Sequence, residues 1–320
     1  MIRFFLQNLF TNSILLIPYV VLLRISSFIY PQDYSEIADY CIFLRPIYEN
    51  FTPFVLAILA VFLIFFQSFL INSLVNEARL NNKNSLIAGL FYATGVCLIP
   101  STYILHPILI ANTFIILSLK NLINLYKAYK PIVHTFMSGF YIGLAILISP
   151  QYLVLILFLI QSMLQLRDVS LKEFLQGQMG ILCPIFLLTT LGVYVFGADY
   201  LENLNFSLSD FNITILENPL RYINIGILTF LLLFILIQQN NIRKKRSVKT
   251  HKVLRLLYIL ALSTLPMLLF EQALIVPHLL LLVVPGSILF SMYIFTKKKI
   301  FAQEVIHTII ILTIVVLQFF

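Results

Sequence analysis

Asp33, Glu36 and Asp39 recur at three-residue spacing between Tyr30 and Thr52, with Arg24 before them and Arg45 and Glu49 after. A carboxylate held beside a membrane surface can take the proton of an attacking hydroxyl, and an arginine near it can neutralise a phosphate leaving group. Asp33, Glu36 and Asp39 are therefore candidate catalytic carboxylates, Asp33 first by position, and Glu36 and Asp39 would share one face of a short helix. Arg24 and Arg221 are the candidate substrate-phosphate contacts. Each of these residues also has a simpler reading. Loop charges keep a polar segment in water, the long stem of Arg24 can snorkel to headgroups, and Glu217 can pair with Arg221.

The elements that must position these residues are set by composition. The 320 residues are 60% hydrophobic and 11% charged, with mean hydropathy +0.98. A soluble domain carries about 25% charged residues, so a soluble chain is excluded. Apolar runs near the length of a bilayer crossing predict helices over Leu9 to Ile29, Pro53 to Leu74, Ser85 to Pro100, Ile104 to Leu119, Pro131 to Ile148, Tyr152 to Leu166, Gln178 to Phe196, Tyr222 to Ile237, Val253 to Phe270, Leu274 to Tyr293 and Phe301 to Phe319. Pro100 and Pro150 punctuate two long stretches as hairpins or re-entrant turns, and Pro184 is a further candidate break. Met1 to Tyr30 reads as a retained first helix.

About 11 spans with a cytoplasmic N-terminus put every one of the 21 basic residues except Arg24, Arg45 and Arg221 on the inner side. Most acids fall outside, in two outer loops at about 31–52 and 197–220, and a basic cytoplasmic loop occupies about 239–252. The net charge of +8 is thus spread over short loops, which excludes a nucleic-acid surface. The run from Arg243 to Arg255 is a topology signal that can also attract anionic lipid. Cys97 and Cys183 lie in apolar runs and Cys41 in a polar loop, so no disulfide framework is expected.

Several chemistries have no motif here: there is no Walker loop, no metal-ligand spacing and no nucleophile elbow. No metal site is assigned. The cofactor is unknown, a divalent metal being compatible with the acids of the first outer loop. His106 and His278 are lone histidines near outer helix ends. Tyrosine replaces tryptophan at the interfaces, and Asn-X-Ser/Thr triplets at Asn50, Asn205 and Asn212 all fall in the outer loops.

The stretch from Leu80 to Phe196, with NNKNSLIAGLFYATGVCLIP, HPILIANTFIILSLKNLINLYK, SGFYIGLAILISPQYLVLILFLI and QLRDVSLKEFLQGQMGILCPIFLL, resembles an uncharacterised family of Bacteroidota inner-membrane proteins, and LLRISSFIY before it fits the same family. More distantly, a first span, an acidic outer loop and helical hairpins with a Gly-bearing SGFYIGLAIL span are similar to the membrane glycosyltransferases of the GT-C class. That resemblance implies a polyprenyl-phosphate-linked sugar as substrate and an acid of the first outer loop, here Asp33, Glu36 or Asp39, as base or metal ligand. The chain departs from that class in its short first loop and in lacking an adjacent Asp-Glu pair.

The expected fold is an all-α polytopic transmembrane helical bundle of about 11 spans in a GT-C-like arrangement, one integral membrane domain over 1–320 with no soluble domain. The expected function is a glycosyltransferase-like step on a polyprenyl-phosphate-linked sugar at the outer face of a bacterial inner membrane, in envelope glycan assembly. The lipid bilayer is the assured partner; no nucleic acid is expected. Two other classes fit the sequence. A non-catalytic scaffold of an envelope or secretion complex would depend on close helix packing at Gly139, Gly143 and Ala145. A transporter of a lipid-linked substrate would depend on broken helices.

Overall fold

The structure, a computed structural model, describes residues 2–7, 10–29, 44–81, 83–197, 226, 233, 246–269, 278–296 and 301–318. The regular structure among these residues is all helical, with no strand. In chain order the helices are α1 (Ile2–Phe5), α2 (Phe10–Ile14), α3 (Leu16–Leu23), α4 (Ile25–Ile29), α5 (Arg45–Asn50), α6 (Pro53–Glu77), α7 (Ile87–Cys97), α8 (Pro107–Leu125), α9 (Pro131–Ile148), α10 (Leu155–Leu166), α11 (Leu171–Phe196), α12 (Val248–Leu262), α13 (Thr264–Leu269), α14 (Leu280–Ile294) and α15 (Phe301–Leu317). Short 3-10 turns at Pro100–Thr102 and Pro150–Val154 precede α8 and α10.

Among the described residues, four helices are long and apolar enough to cross a membrane: Pro53–Glu77, Pro107–Leu125, Pro131–Ile148 and Leu171–Tyr194. They mark the chain as a membrane protein. Proline stands at the first helical position of α6, α8 and α9, where its missing N–H costs nothing and its fixed φ favours the helix. Ser170 starts α11 by accepting from the Glu173 N–H at 3.4 Å. On α6, Phe54, Ile58, Phe62, Phe66 and Phe69 form an exposed row at helical spacing. An apolar row is costly in water and neutral against acyl chains.

Several predicted spans differ from the observed elements. The first, Leu9 to Ile29, is three short helices, α2 to α4, broken at Leu15 and Arg24, rather than one rod. The hairpin partners α7 and α10 are only 11 and 12 residues long, because a 3-10 turn that opens at Pro100 follows α7 and one that opens at Pro150 takes the place of the first turn of α10. Pro184 does not break α11, which runs through it. The basic segment about 239–252 becomes helical from Val248.

Side-chain contacts give the relative directions. Asn76 with Ser85 and Asn72 with Gly89 make α6 and α7 antiparallel, and Gln67 with Leu109 and Glu77 with Lys120 make α6 and α8 parallel, so α7 and α8 are antiparallel. At one end Lys120 meets Glu77 at 3.0 Å, Lys252 donates to the Leu166 carbonyl at 2.6 Å, Arg246 to the Leu80 carbonyl at 3.0 Å, and Arg167 pairs with Glu173 at 3.4 Å. This is the basic end. Burial draws the Arg246 guanidinium below its ordinary pKa. α7 and α14 are the most enclosed helices and form the centre of the bundle, while α9 packs chiefly on α8 and α11.

Small residues set the closest approaches. A Cβ at Gly139 would stand 2.1 Å from the Gly177 carbonyl oxygen, and one at Gly180 would stand 2.4 Å from the Phe136 oxygen. α9 and α11 therefore touch backbone to backbone, as membrane helices do where small residues face one another.

Candidate functional site

Arg24 sits where α3 gives way to α4, and its guanidinium turns inward instead of snorkelling outward. It is 0% exposed. Nη1 donates to the Thr102 carbonyl and Nη2 to the Thr102 hydroxyl, both at 2.5 Å, and the guanidinium carbon lies 5.3 Å from the centre of the Tyr103 ring. Thr102 is fixed in turn by donating to Ile99 and Val96 carbonyls at 2.8 and 3.1 Å, where Pro100 has ended α7. Among the described residues the Arg24 Nε–H has no hydrogen-bond partner and no carboxylate faces the guanidinium. A buried cation with a spare donor and no anion is an electrostatically incomplete arrangement.

The break at Arg24 is closed from another helix. Gln318, just past α15, donates to the Leu23 carbonyl and accepts from the Ser26 N–H at 3.4 Å. Close by, Tyr48 of α5 donates to the Leu105 carbonyl at 2.6 Å, and His106 starts α8 by accepting from the Ile108 N–H at 3.2 Å. His278 is near enough to act on His106 electrostatically, and its ring meets Tyr152 edge-on at 5.7 Å. The two histidines that read as isolated in the sequence are thus within electrostatic reach of each other, and both are buried.

Two polar clusters lie deeper. Gln67 donates to the Leu109 carbonyl and the Thr113 hydroxyl at 2.6 and 2.7 Å and accepts from Tyr92 at 2.6 Å, while Asn112 donates to the Tyr92 hydroxyl at 2.7 Å. Tyr19, Thr94 and His307 share a second cluster, with the Tyr19 hydroxyl 3.1 Å from each of the others. Among the described residues the His307 Nδ1 is buried without a partner. No motif announces either cluster, since each joins residues far apart in sequence on different helices.

Asp33, Glu36, Asp39 and Arg221 lie outside the described residues, as do Glu217 and the loop after Gly197. Chain connectivity alone relates the three acids to Arg24: they fall between α4, which follows Arg24 directly, and α5. Among the described residues no group of three His, Cys, Asp or Glu side chains is placed to hold a metal ion.

Residues 129–320 match the model of a Family of unknown function (DUF6427). The chain belongs to this family. No curated protein and no solved structure matches it. The matched region supplies Tyr152, His278, His307 and Gln318, whereas Arg24, Gln67, Tyr92, Thr94, Thr102 and Tyr103 precede it. The polar interior is therefore built jointly by the family region and the helices before it.

Proposed function

We propose that the protein is a membrane-embedded, GT-C-like glycosyltransferase of envelope glycan assembly, acting at the outer face of a bacterial inner membrane on a polyprenyl-phosphate-linked sugar. In this reading the chain makes about 11 crossings, the N-terminus and the basic end face the cytoplasm, and the Arg24 end faces outward, as the distribution of Lys and Arg requires.

The observation that carries it is Arg24: a wholly buried guanidinium with an unused Nε–H, directly before the segment that holds three acids. In the reaction Asp33, helped by Glu36 or Asp39, takes the acceptor hydroxyl proton. The hydroxyl oxygen bonds to the anomeric carbon as the bond from that carbon to the phosphate oxygen breaks, and the electron pair leaves with the polyprenyl phosphate. Arg24 and Arg221 balance the negative charge that develops there.

Lipids that copurify with the detergent-extracted protein test the substrate class. Polyprenyl phosphate or a lipid-linked sugar is expected by mass spectrometry with wild type and is lost in the monodisperse Arg24→Ala, Arg221→Ala variant. Bulk phospholipid alone, unchanged by the variant, overturns the reading. Turnover is tested separately: glycan assembly left unchanged by each of Asp33→Asn, Glu36→Gln and Asp39→Asn removes the catalytic assignment, leaving a lipid-linked substrate transporter if the lipid is still held.

One observation favours a second reading, a non-catalytic scaffold. Each Nη of Arg24 donates to Thr102, so the residue also serves as an internal staple between α3 and the turn before α8. A scaffold tolerates all three acid substitutions and fails when the staple is cut.

A further inference from the structure

The basic end carries a feature that the proposed reaction does not use. α8 stops at Leu125, Tyr126 is extended, and Lys127 follows with φ 57°, in the left-handed region that residues with a Cβ disfavour. This turn carries the Lys127 Nζ to 5.7 Å from the centre of the Tyr126 ring. Lys252, from the first turns of α12, reaches the same ring with its Nζ at 5.3 Å. Its ammonium also donates to the carbonyl of Leu166 at 2.6 Å, the negative end of α10. Arg255, one turn along α12, reaches only the neutral Gln165 at 3.4 Å.

Two ammonium groups thus approach one aromatic ring, with Arg255 one turn along α12 from the second, and among the described residues none of the three has a carboxylate partner. Glu77 is taken by Lys120 and Glu173 by Arg167, while among the described residues Asp168 makes no ion pair. Ring quadrupoles and carbonyl dipoles offset part of this charge, but only an anion neutralises it. Depth selects the anion. The turn joins α8 to α9, both long enough to cross a membrane, so it lies at a bilayer surface. Tyr129, 95% exposed between Lys127 and Lys130, has the amphipathic ring that settles among headgroups.

We propose that Lys127 and Lys252, gathered on Tyr126, bind the phosphate of an anionic phospholipid at the basic end of the bundle, with Arg255 taking up the remaining charge. The site is independent of the reaction proposed at the other end.

The test is native mass spectrometry of the full chain titrated with phosphatidylglycerol and, separately, phosphatidylcholine. Lys127→Gln, Lys252→Gln is compared with Lys172→Gln, Lys249→Gln, which removes the same charge at the same end. Retention of phosphatidylglycerol is expected to fall about fivefold or more in the first variant and less than about twofold in the second, with phosphatidylcholine unaffected in both. Because Lys252 also caps α10, Lys127→Gln alone is included. Its side chain donates no hydrogen bond among the described residues, and it is expected to lose about threefold in retention with an unchanged thermal midpoint. Equal losses in the two double variants would show diffuse attraction rather than a site and overturn the proposal. So would no loss in either, or glycerol phosphate competing as well as the lipid, which would assign the cations to a soluble phosphate compound.

Discussion

Arg24 and Thr102 are joined by two hydrogen bonds of 2.5 Å, one to the carbonyl and one to the hydroxyl of the same residue. The pair ties a break in the first helical segment to the break that Pro100 makes between α7 and α8. Each element supplies what the other lacks: a buried cation gains acceptors, and a turn whose carbonyls have left the helix ladder gains a donor.

Removing the hydroxyl from this pair leaves a guanidinium N–H buried without an acceptor, which costs about 2–3 kcal/mol. Thr102→Val is therefore expected to lower the thermal midpoint of the detergent-solubilised protein clearly, and Thr102→Ser to leave it close to wild type. A Thr102→Val midpoint equal to that of wild type would mean that the hydroxyl is not a working partner of Arg24.

Asn72 performs a capping task for another helix. Its Oδ1 accepts the Gly89 N–H at 2.7 Å, one of the donors that the first turn of α7 cannot satisfy internally and that Leu86 cannot cap. Asn72→Leu is expected to cost about 1–3 kcal/mol in chemical denaturation, with hydrogen exchange accelerated first at the start of α7. Uniform exchange along α7 would argue against a local cap.

The glycines of α9 and α11 are not equivalent. A Cβ at Gly139 or Gly180 would strike backbone at 2.1 or 2.4 Å, whereas one at Gly177 meets side chains alone, the Met163 sulfur at 3.4 Å and Leu159 Cδ2 at 3.7 Å. Gly139→Ala and Gly180→Ala are expected to destabilise by about 1–3 kcal/mol and Gly177→Ala by much less. Thermal unfolding of the three variants ranks them, and equal losses would contradict the packing described.

α15 is held at polar points, His307 against Tyr19 and Gln318 against the Leu23 carbonyl. Hydrogen bonds between membrane helices are modest, about 0.6 kcal/mol on average. His307→Leu with Gln318→Leu is therefore expected to loosen α15 alone, seen as faster exchange over 301–317 while α7 and α8 stay protected. Protection lost across all three helices would make α15 part of the cooperative core instead.

What the sequence by itself determined is the material of the fold. Run length and apolarity alone account for α6, α8, α9 and α11, because a helix satisfies its own backbone inside a bilayer whatever its neighbours are. Pro100 and Pro150 could be read as interruptions because a missing N–H acts locally, and the basic residues could be read as one end because charge cannot stay in hydrocarbon. The acids at 33, 36 and 39 could be read as a cluster from spacing alone. Tertiary structure decided which polar group meets which. Arg24 turning inward to Thr102, His106 nearing His278, Asn72 capping α7 and Lys252 joining Lys127 on Tyr126 all depend on how neighbouring helices are rotated about their axes. A helix as evenly apolar as α6 carries no stripe to announce that rotation, and the burial of its rare polar residues becomes favourable only once a distant segment supplies the partner.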